Sequence, residues 1–193
     1  MKKILQKNEK VLRKIAQEVH LPEIKTTKIQ KVLKEMSAAL KSQDDGVAIA
    51  APQIGYQLRI FIVSGKIFAE GSSKKREDKF RGKEEVLLNE NNIVEKIEKK
   101  EKVKDLVFIN PKISKRSSKK EWMPEGCLSV RPLYGKTWRS KKATVTAYDE
   151  NGRKFIRGAS GLLAQVFQHE TDHLDGILFI DHAKEIKAEL PHK

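Results

Sequence analysis

The chain has 193 residues, of which 38% are hydrophobic and 34% are charged, enough for one domain with a buried core and a strongly hydrated surface. No apolar run approaches the roughly 20 residues that span a bilayer, and the N-terminus lacks the apolar segment of an export signal. The single cysteine, Cys127, excludes an internal disulfide. We therefore expect a reducing, cytoplasmic setting without a membrane.

The net charge of +14 is concentrated in two basic segments. Residues 1–43 carry eleven Lys and Arg against four acidic residues, and residues 112–142 carry ten against two. Such segments favour contact with a polyanion such as nucleic acid, or they only keep a Lys-rich surface hydrated. We expect neither segment to supply the aromatic side chains on which bases stack.

Two helices are predicted before residue 44. The first is a short helix over residues 9–18, with Val11, Leu12 and Ile15 on one side. Thr27, followed three residues later by Gln30, indicates a capping box that begins the second. Its apolar face is expected to contain Ile29, Val32, Leu33, Met36 and Leu40.

A run of small and β-branched residues follows at 46–55. It predicts a buried strand under a helix, or a place where another backbone approaches closely. Gln53 stands out because its buried amide needs a protein partner or a substrate oxygen. A strand is predicted at 58–63, and the charged segment at about 65–105 is predicted to be a surface insertion.

The remaining strands are short and antiparallel. One begins at Leu106 and is expected to end at Pro111, and another alternates over residues 143–148. Residues 149–152 predict the turn that returns it as a hairpin over 154–156. The predicted class is therefore α+β, with small antiparallel sheets packed around a C-terminal helix.

That helix, residues 161–174, carries the pattern His169-Glu170-x-x-His173, which places both imidazoles on one face. The pattern continues two apolar stripes, so its polar side chains are expected to point inward. Burying them is costly unless a metal ion compensates, although a lone buried histidine is more often a hydrogen-bonded core residue. One stripe contains Leu162, Val166, His169 and His173, and the other Leu163, Phe167, Glu170 and Leu174.

Two histidines leave a catalytic metal one ligand short. Cys127 is a strong candidate because a thiolate is a good ligand, although a lone cysteine is usually a small buried hydrophobe. His20, His182 and the carboxylates are alternatives without a supporting motif.

These pieces together resemble the peptide deformylase family. Three motifs stand in the family's order: a small-residue run at 46–53 ending in Ala-Ala-Pro-Gln, Glu-Gly-Cys-Leu-Ser at 125–129, and Gln-His-Glu-x-x-His at 168–173. The resemblance covers nearly the whole chain, residues 1–193, apart from the insertion at about 65–105. It implies one catalytic domain.

The resemblance implies removal of the formyl group from the N-terminal formylmethionine of new proteins, with release of formate. Cys127, His169 and His173 would bind one divalent metal, Fe²⁺ in the cell, with Zn²⁺, Ni²⁺ or Co²⁺ as substitutes. Glu170 would be the general base. The Gln53 amide and the Leu128 N–H would stabilise the oxyanion.

The resemblance also implies where the substrate peptide binds. The peptide would add as a strand along Val47 and Ala48, and the methionine side chain would enter an apolar pocket formed by Leu162 and Val166. Glu125 is a further expected substrate contact. A monomer is expected, and the basic segments could contact ribosomal RNA.

Three positions depart from the family pattern: Ala48 replaces a common glycine, Arg131 precedes Pro132, and Gln165 lies on the catalytic helix. They put pocket shape, substrate preference and rate in doubt.

Two rival functions are weighed. A zinc endopeptidase shares His-Glu-x-x-His, but such enzymes usually take their third ligand C-terminal to the motif. A non-enzymatic RNA-binding protein would explain the charge but not Cys127, Gln53 and Glu170.

Overall fold

The computed structural model describes residues 2–67 and 104–188. Two α-helices of the described residues, separated along the chain by a run of strands, pack with two antiparallel sheets, so the predicted α+β class is confirmed. In these two ranges no helix is long and apolar enough to cross a membrane. The helices are α1 (Thr27–Lys41) and α2 (Gly161–Leu174), and the strands are β1 (Ala48–Ala50), β2 (Ile60–Val63), β3 (Leu106–Arg116), β4 (Lys120–Gly126), β5 (Leu133–Ser140), β6 (Lys142–Tyr148), β7 (Lys154–Ser160) and β8 (Lys184–Ala188).

The larger sheet has the strand order β1-β2-β3-β6-β7, and the smaller has the order β4-β5-β8. Every ladder is antiparallel. Among the described strands β1 lies at the edge, so one side of its backbone faces away from the sheet. The predicted hairpin after residue 143 is confirmed, because β6 pairs with β7 from Lys142 opposite Ser160 to Tyr148 opposite Lys154.

Aromatic packing joins α2 to the larger sheet. Phe61 and Phe108 stack with ring centroids 4.5 Å apart, and Phe167 of α2 meets Phe108 edge-on at 5.2 Å. All three side chains are fully buried. This contact fixes the position of α2, because each ring buries a large apolar area in a specific orientation.

Helix α1 covers another part of the sheet with the apolar face that the sequence predicts. The predicted capping box is wrong. The N-cap residue, Thr26, makes no side-chain cap bond, and its hydroxyl donates to the Glu23 carbonyl instead. The Gln30 amide donates to the carbonyls of Ile24 and Glu150, so tertiary acceptors replace the local cap.

The helix predicted over residues 9–18 is also wrong. Only Lys10–Arg13 forms a turn of 3-10 helix, and Ile15 is 73% exposed. Beyond that turn the chain bonds to distant segments. The Ala16 N–H donates to the Leu174 carbonyl (2.8 Å). The Gln17 N–H donates to the Gln57 carbonyl, and the Gln17 carbonyl accepts from the Arg59 N–H. These long-range bonds replace the i to i−4 bonds of a helix.

Strand β3 does not end at Pro111, as the sequence predicted, but continues to Arg116. The ladder with β6 shifts register between Ile109 and Lys112, so the missing proline N–H falls at an irregularity. Asn110, at φ 50°, accepts from the Val19 N–H and donates to the Val19 carbonyl. The irregularity therefore anchors the N-terminal segment.

The insertion predicted at about 65–105 falls almost entirely on residues 68–103, outside the described residues. Its two ends lie together. Val63 of β2 pairs with Leu106 of β3, and the Gly65 N–H donates to the Asp105 carboxylate. The segment thus leaves and rejoins the sheet at the end of one antiparallel strand pair.

We predict that Phe108→Ala lowers the free energy of unfolding by about 3–5 kcal/mol, because it leaves a cavity between the sheet and α2. Ile156→Ala is the control. Ile156 is 71% exposed, and its loss should change stability by less than about 1 kcal/mol. Urea unfolding measures both variants; equal losses would contradict the packing described.

Candidate metal centre

Helix α2 presents its two histidines toward the interior. It follows β7 directly, and His169 and His173 lie one turn apart with ring centroids 4.8 Å apart. Leu162 remains half-exposed at the start of the helix, whereas Val166, Glu170 and His173 are buried. The structure therefore shows the predicted inward orientation of the polar side chains of His169, Glu170 and His173.

The structure brings Cys127 to the two histidines. Cys127 lies immediately after β4, and its Sγ is 3.1 Å from His173 Nε2. One donor atom from each of Cys127, His169 and His173 lies within 4.8 Å of the others. The alternatives His20 and His182 are not in this cluster. One ion can therefore reach all three donors.

The electrostatics of the three residues fit a cation. Burial lowers the pKa of His173 well below its usual value, which leaves a neutral imidazole able to act as a ligand. Burial also acts to lower the pKa of His169, but hydrogen bonds with Cys127 and Glu125 raise it well above its usual value. The cluster thus attracts a positive charge, which a divalent metal can supply in place of a proton.

Glu125 holds His169 rather than facing the cavity as a free carboxylate. Its Oε1 is 2.7 Å from His169 Nδ1, which leaves Nε2 of that ring for a metal. Arg139 donates to both carboxylate oxygens, at 3.0 and 2.7 Å. Thr137 and Gln165 also donate to this carboxylate. Glu125 therefore positions His169, and since it also lines the cavity, the substrate contact predicted for it stays a prediction.

Arg139 extends the network to helix α2. Its second terminal nitrogen donates to Asp172 at 2.6 Å, so one buried guanidinium joins β4, β5 and α2. Burial opposes ionisation of Glu125, but His169 and Arg139 hold the pKa of its carboxyl well below its usual value. A strongly ionised carboxylate is what fixes the tautomer and orientation of a ligating histidine.

Glu170 is buried beside the cluster and is 3% exposed. Its Oε2 has no hydrogen-bond partner among the described residues. Burial raises the pKa of the Glu170 carboxyl to about 7. A carboxylate with a free oxygen and a pKa near neutrality is suited to accept and return a proton.

Gln53 is held in a fixed orientation. Its Oε1 accepts from the Ala50 N–H (2.8 Å), and its Nε2 donates to the Ser129 hydroxyl (3.0 Å). The same Nε2 lies 3.6 Å from Cys127 Sγ. One N–H of the amide is therefore bonded to Ser129, and the nitrogen itself lies beside the metal cluster, where an oxyanion donor is needed.

A cavity of about 280 Å³ opens onto these groups. Glu170 and Gln53 line it together with residues 124–128, at the end of β4 and just after it. The cavity brings together the predicted oxyanion donor Leu128 and the candidates for substrate contact, which were Val47, Ala48, Glu125, Leu162 and Val166.

The other two departures from the family pattern also border the cavity. Arg131 forms an ion pair with Asp45, which lies before β1, so the two link opposite sides of the cavity. Gln165 donates to the Pro124 carbonyl at 2.8 Å and to Glu125. Both side chains are therefore engaged in internal contacts.

Several positioning residues were missed from the sequence. Thr137 and Arg139 lie in β5, where every second residue is buried, and this alternation was the signal that could have found them. Ser129 lies within a recognised motif, but its bond to Gln53 joins residues 76 positions apart. Asp172 lies inside the helical motif itself.

The pattern of the family described as polypeptide deformylase matches residues 1–189. The chain belongs to this family. It is 33% identical to peptide deformylase 2 of Clostridium acetobutylicum over 181 residues, which are 94% of each chain. It is 35% identical to peptide deformylase 1A, chloroplastic/mitochondrial, of Arabidopsis thaliana over 178 residues, 92% of this chain.

The chain spans about 60% of the length of the plant relatives that it matches. Solved deformylase structures share its fold. A peptide deformylase from Legionella pneumophila superposes with a TM-score of 0.71 at 28% identity, over 96% of this chain and 87% of that one. A Met-Ala-Ser-bound deformylase from Acinetobacter baumannii gives 0.71 at 26% identity, over 94% and 98% of the two chains.

We predict that Arg139→Met lowers the free energy of unfolding by about 3–5 kcal/mol, because it leaves the buried Glu125 and the partly buried Asp172 without this cation. Since Glu125 orients His169, metal affinity should also fall about 10–100-fold. Denaturant unfolding and competitive metal titration measure the two effects. Arg153→Met, on an exposed turn, is the control and should change neither.

Proposed function

We propose that this chain is a metal-dependent hydrolase that removes the formyl group from N-formylmethionyl peptides and releases formate. The observation that carries the proposal is the cluster of Cys127, His169 and His173 beside Glu170, on a cavity, in a chain of the deformylase family. In the reaction, water adds its oxygen to the formyl carbon, the carbon–nitrogen bond breaks, and the free methionine amine leaves with a proton.

We propose Fe²⁺ as the metal in the cell, with Zn²⁺, Ni²⁺ or Co²⁺ as substitutes. One thiolate and two imidazoles form a donor set that suits these ions, and they leave a position open for a substrate or water. When bound, the ion supplies an activated water and polarises the formyl oxygen. The Ser129 N–H donates to Cys127 Sγ at 3.4 Å, which helps to hold the sulfur beside the two histidines.

Glu170 is the proposed general base and acid. Its free Oε2 accepts the proton of the attacking water and later delivers it to the methionine nitrogen as the carbon–nitrogen bond breaks. Burial serves both steps, since it raises the pKa of this carboxyl toward neutrality and keeps bulk water away from the proton.

The Gln53 side chain and the Leu128 backbone N–H are the proposed oxyanion donors. Gln53 is supported by its position, because two hydrogen bonds hold its amide against rotation beside Cys127. Leu128 is supported by its place on the cavity wall, directly after the ligand Cys127. Donors fixed before the reaction stabilise a developing charge without reorganisation.

The substrate backbone is proposed to bind along the free edge of β1. Val47 and Ala48 line the cavity, and β1 pairs only with β2 among the described strands. At Ala50 the outward N–H is already bonded to Gln53, so the free edge ends there. Main-chain bonding of this kind makes affinity depend little on peptide sequence.

Leu162 and Val166 are the proposed walls of the methionine pocket, since both face the cavity one turn apart on α2. The methyl group of Ala48 occupies space at the β1 edge where a glycine would leave room. We expect it to affect how closely the substrate backbone approaches, and not the chemistry.

Residues 1–193 are proposed to form one catalytic domain, which acts as a monomer and carries the charged segment at about 65–105. The family match over residues 1–189 supports this organisation. A cytoplasmic site of action is proposed because a thiolate ligand at Cys127 needs a reducing compartment.

We predict that the iron-loaded protein, purified without oxygen, releases formate from formyl-Met-Ala-Ser. Glu170→Gln should reduce release by about 10²–10⁴-fold, because it removes the proton acceptor but keeps the shape. Metal content is the control and should stay unchanged in the variant. No release from the fully loaded natural protein would overturn the proposal, and cleavage of an unformylated peptide instead would favour the endopeptidase alternative.

We also predict that removal of the metal by a chelator abolishes formate release and that added Fe²⁺ or Ni²⁺ restores it. Cys127→Ser should bind the ion more weakly, since a hydroxyl is a poor replacement for a thiolate. Metal analysis beside the formate assay checks this. Full activity after chelation would be inconsistent with a metal-dependent reaction.

A further inference from the structure

The outer face of the smaller sheet carries large aromatic side chains that are exposed to solvent. Along β4 and β5, alternate residues point into the protein and are buried, as Met123 and Thr137 are. The residues between them point outward, and these include Trp122, Tyr134 and Trp138, all exposed. We call this outward surface the aromatic face. It contradicts the expectation that residues 112–142 supply no aromatic side chains for base stacking.

The two tryptophans form a pair on this face. Trp122 and Trp138 are directly opposite in the β4–β5 ladder, with ring centroids 5.3 Å apart and planes at 49°. They remain 42% and 49% exposed, and they are the two tryptophans of the whole chain. Cross-strand pairing accounts for their contact with each other. It does not account for the large apolar area that both leave in water.

Lysines surround the pair. Lys184 Nζ lies 4.9 Å from the Trp122 ring centroid. Lys136 is opposite Lys184 in the β5–β8 ladder, and Lys187 is opposite Tyr134, so these side chains share the aromatic face. The face also includes Lys120, two residues before Trp122 on β4, and Glu185, which pairs with Lys136 at 2.6 Å.

We propose that the aromatic face binds single-stranded RNA, with bases stacked on Trp122 and Trp138 and phosphates at the lysines. Exposed aromatic rings bordered by cations are the combination that single strands require, whereas a duplex hides its base faces. An acidic peptide would use the lysines but has no flat rings to stack. The choice of RNA rests on the proposed function, because newly made polypeptides emerge beside RNA.

The location of the face supports this assignment. Tyr134 belongs to the aromatic face and also lines the catalytic cavity. RNA bound there would lie beside the cavity. The sequence predicted polyanion contact by two basic segments, and the proposal assigns this contact to the aromatic face. The reacting groups lie on the other side of the sheet.

Tryptophan fluorescence tests the proposal directly, since both tryptophans of the chain lie on the aromatic face. An oligouridine of about 12 nucleotides should quench the emission as it binds at low salt. Inorganic polyphosphate should bind without comparable quenching, because it has no bases. Absence of quenching by the RNA would overturn the proposal, as would an oligoglutamate that displaces the RNA at equal charge concentration.

Variants separate stacking from charge. Trp138→Leu should weaken binding of a labelled oligouridine about tenfold, and its formate release should be unchanged because Trp138 does not line the cavity. The triple variant Lys120→Gln, Lys184→Gln, Lys187→Gln should lower the slope of log affinity against log salt by about 2. Binding like that of the natural protein in both variants would overturn the proposal.

A matched control removes three lysines elsewhere. Lys28, Lys31 and Lys34 lie exposed on α1, and their joint replacement by Gln makes the same change in net charge. This control should bind RNA like the natural protein. Equal weakening in both triple variants would overturn the proposal in favour of a general charge effect. If the natural protein releases formate but does not bind the oligouridine, this inference is overturned and the proposed function stands.

Discussion

The buried contact of Arg139 with Glu125 and Asp172 is the interaction on which the site depends. It joins two strands of the smaller sheet to the helix that carries both histidines. Three charges out of water are stable only if their geometry is good and their remaining hydrogen bonds are made. Glu125 meets this condition with five donors, and one of them is the ring of His169. The network therefore determines where a metal ligand stands.

The two sheets contribute different parts of the site. The larger sheet fixes α2 through its aromatic core, and its edge strand β1 lies where the substrate peptide is proposed to bind. The smaller sheet ends β4 at Gly126, so the turn that follows delivers Cys127 to the histidines. Neither sheet alone assembles the three donors. The site therefore forms only when both sheets and α2 have folded together. Metal binding would stabilise this folded arrangement.

Local sequence predicted the elements whose bonds are local. The hairpin at 142–160 and helix α2 follow from turn residues and from the spacing of two apolar stripes. The 9–18 helix failed because distant carbonyls accept from the backbone N–H groups of Ala16 and Gln17. The Thr27 cap failed because the Gln30 amide donates to the carbonyls of Ile24 and Glu150 instead. Periodic patterns describe a single element and contain no information about acceptors supplied by other parts of the fold.

Sequence likewise identified some residues of the site and missed others. Cys127, His169 and His173 could be selected because their chemistry and motifs are unusual. The partners of Glu125 could not, since charged residues are common in this chain and only the β5 alternation marks Arg139 as buried. The aromatic face was missed for the converse reason: exposed tryptophans on alternating strands look like ordinary sheet residues until the register places them together.

X-ray absorption at the zinc edge of the zinc-loaded protein tests the metal centre most directly. The account predicts one sulfur at about 2.3 Å and nitrogen ligands at about 2.0–2.1 Å. Cys127→Ser should remove the sulfur contribution and keep the imidazole contribution. A first coordination shell of nitrogen and oxygen alone, or a sulfur contribution that persists in Cys127→Ser, would contradict the assignment of the cluster.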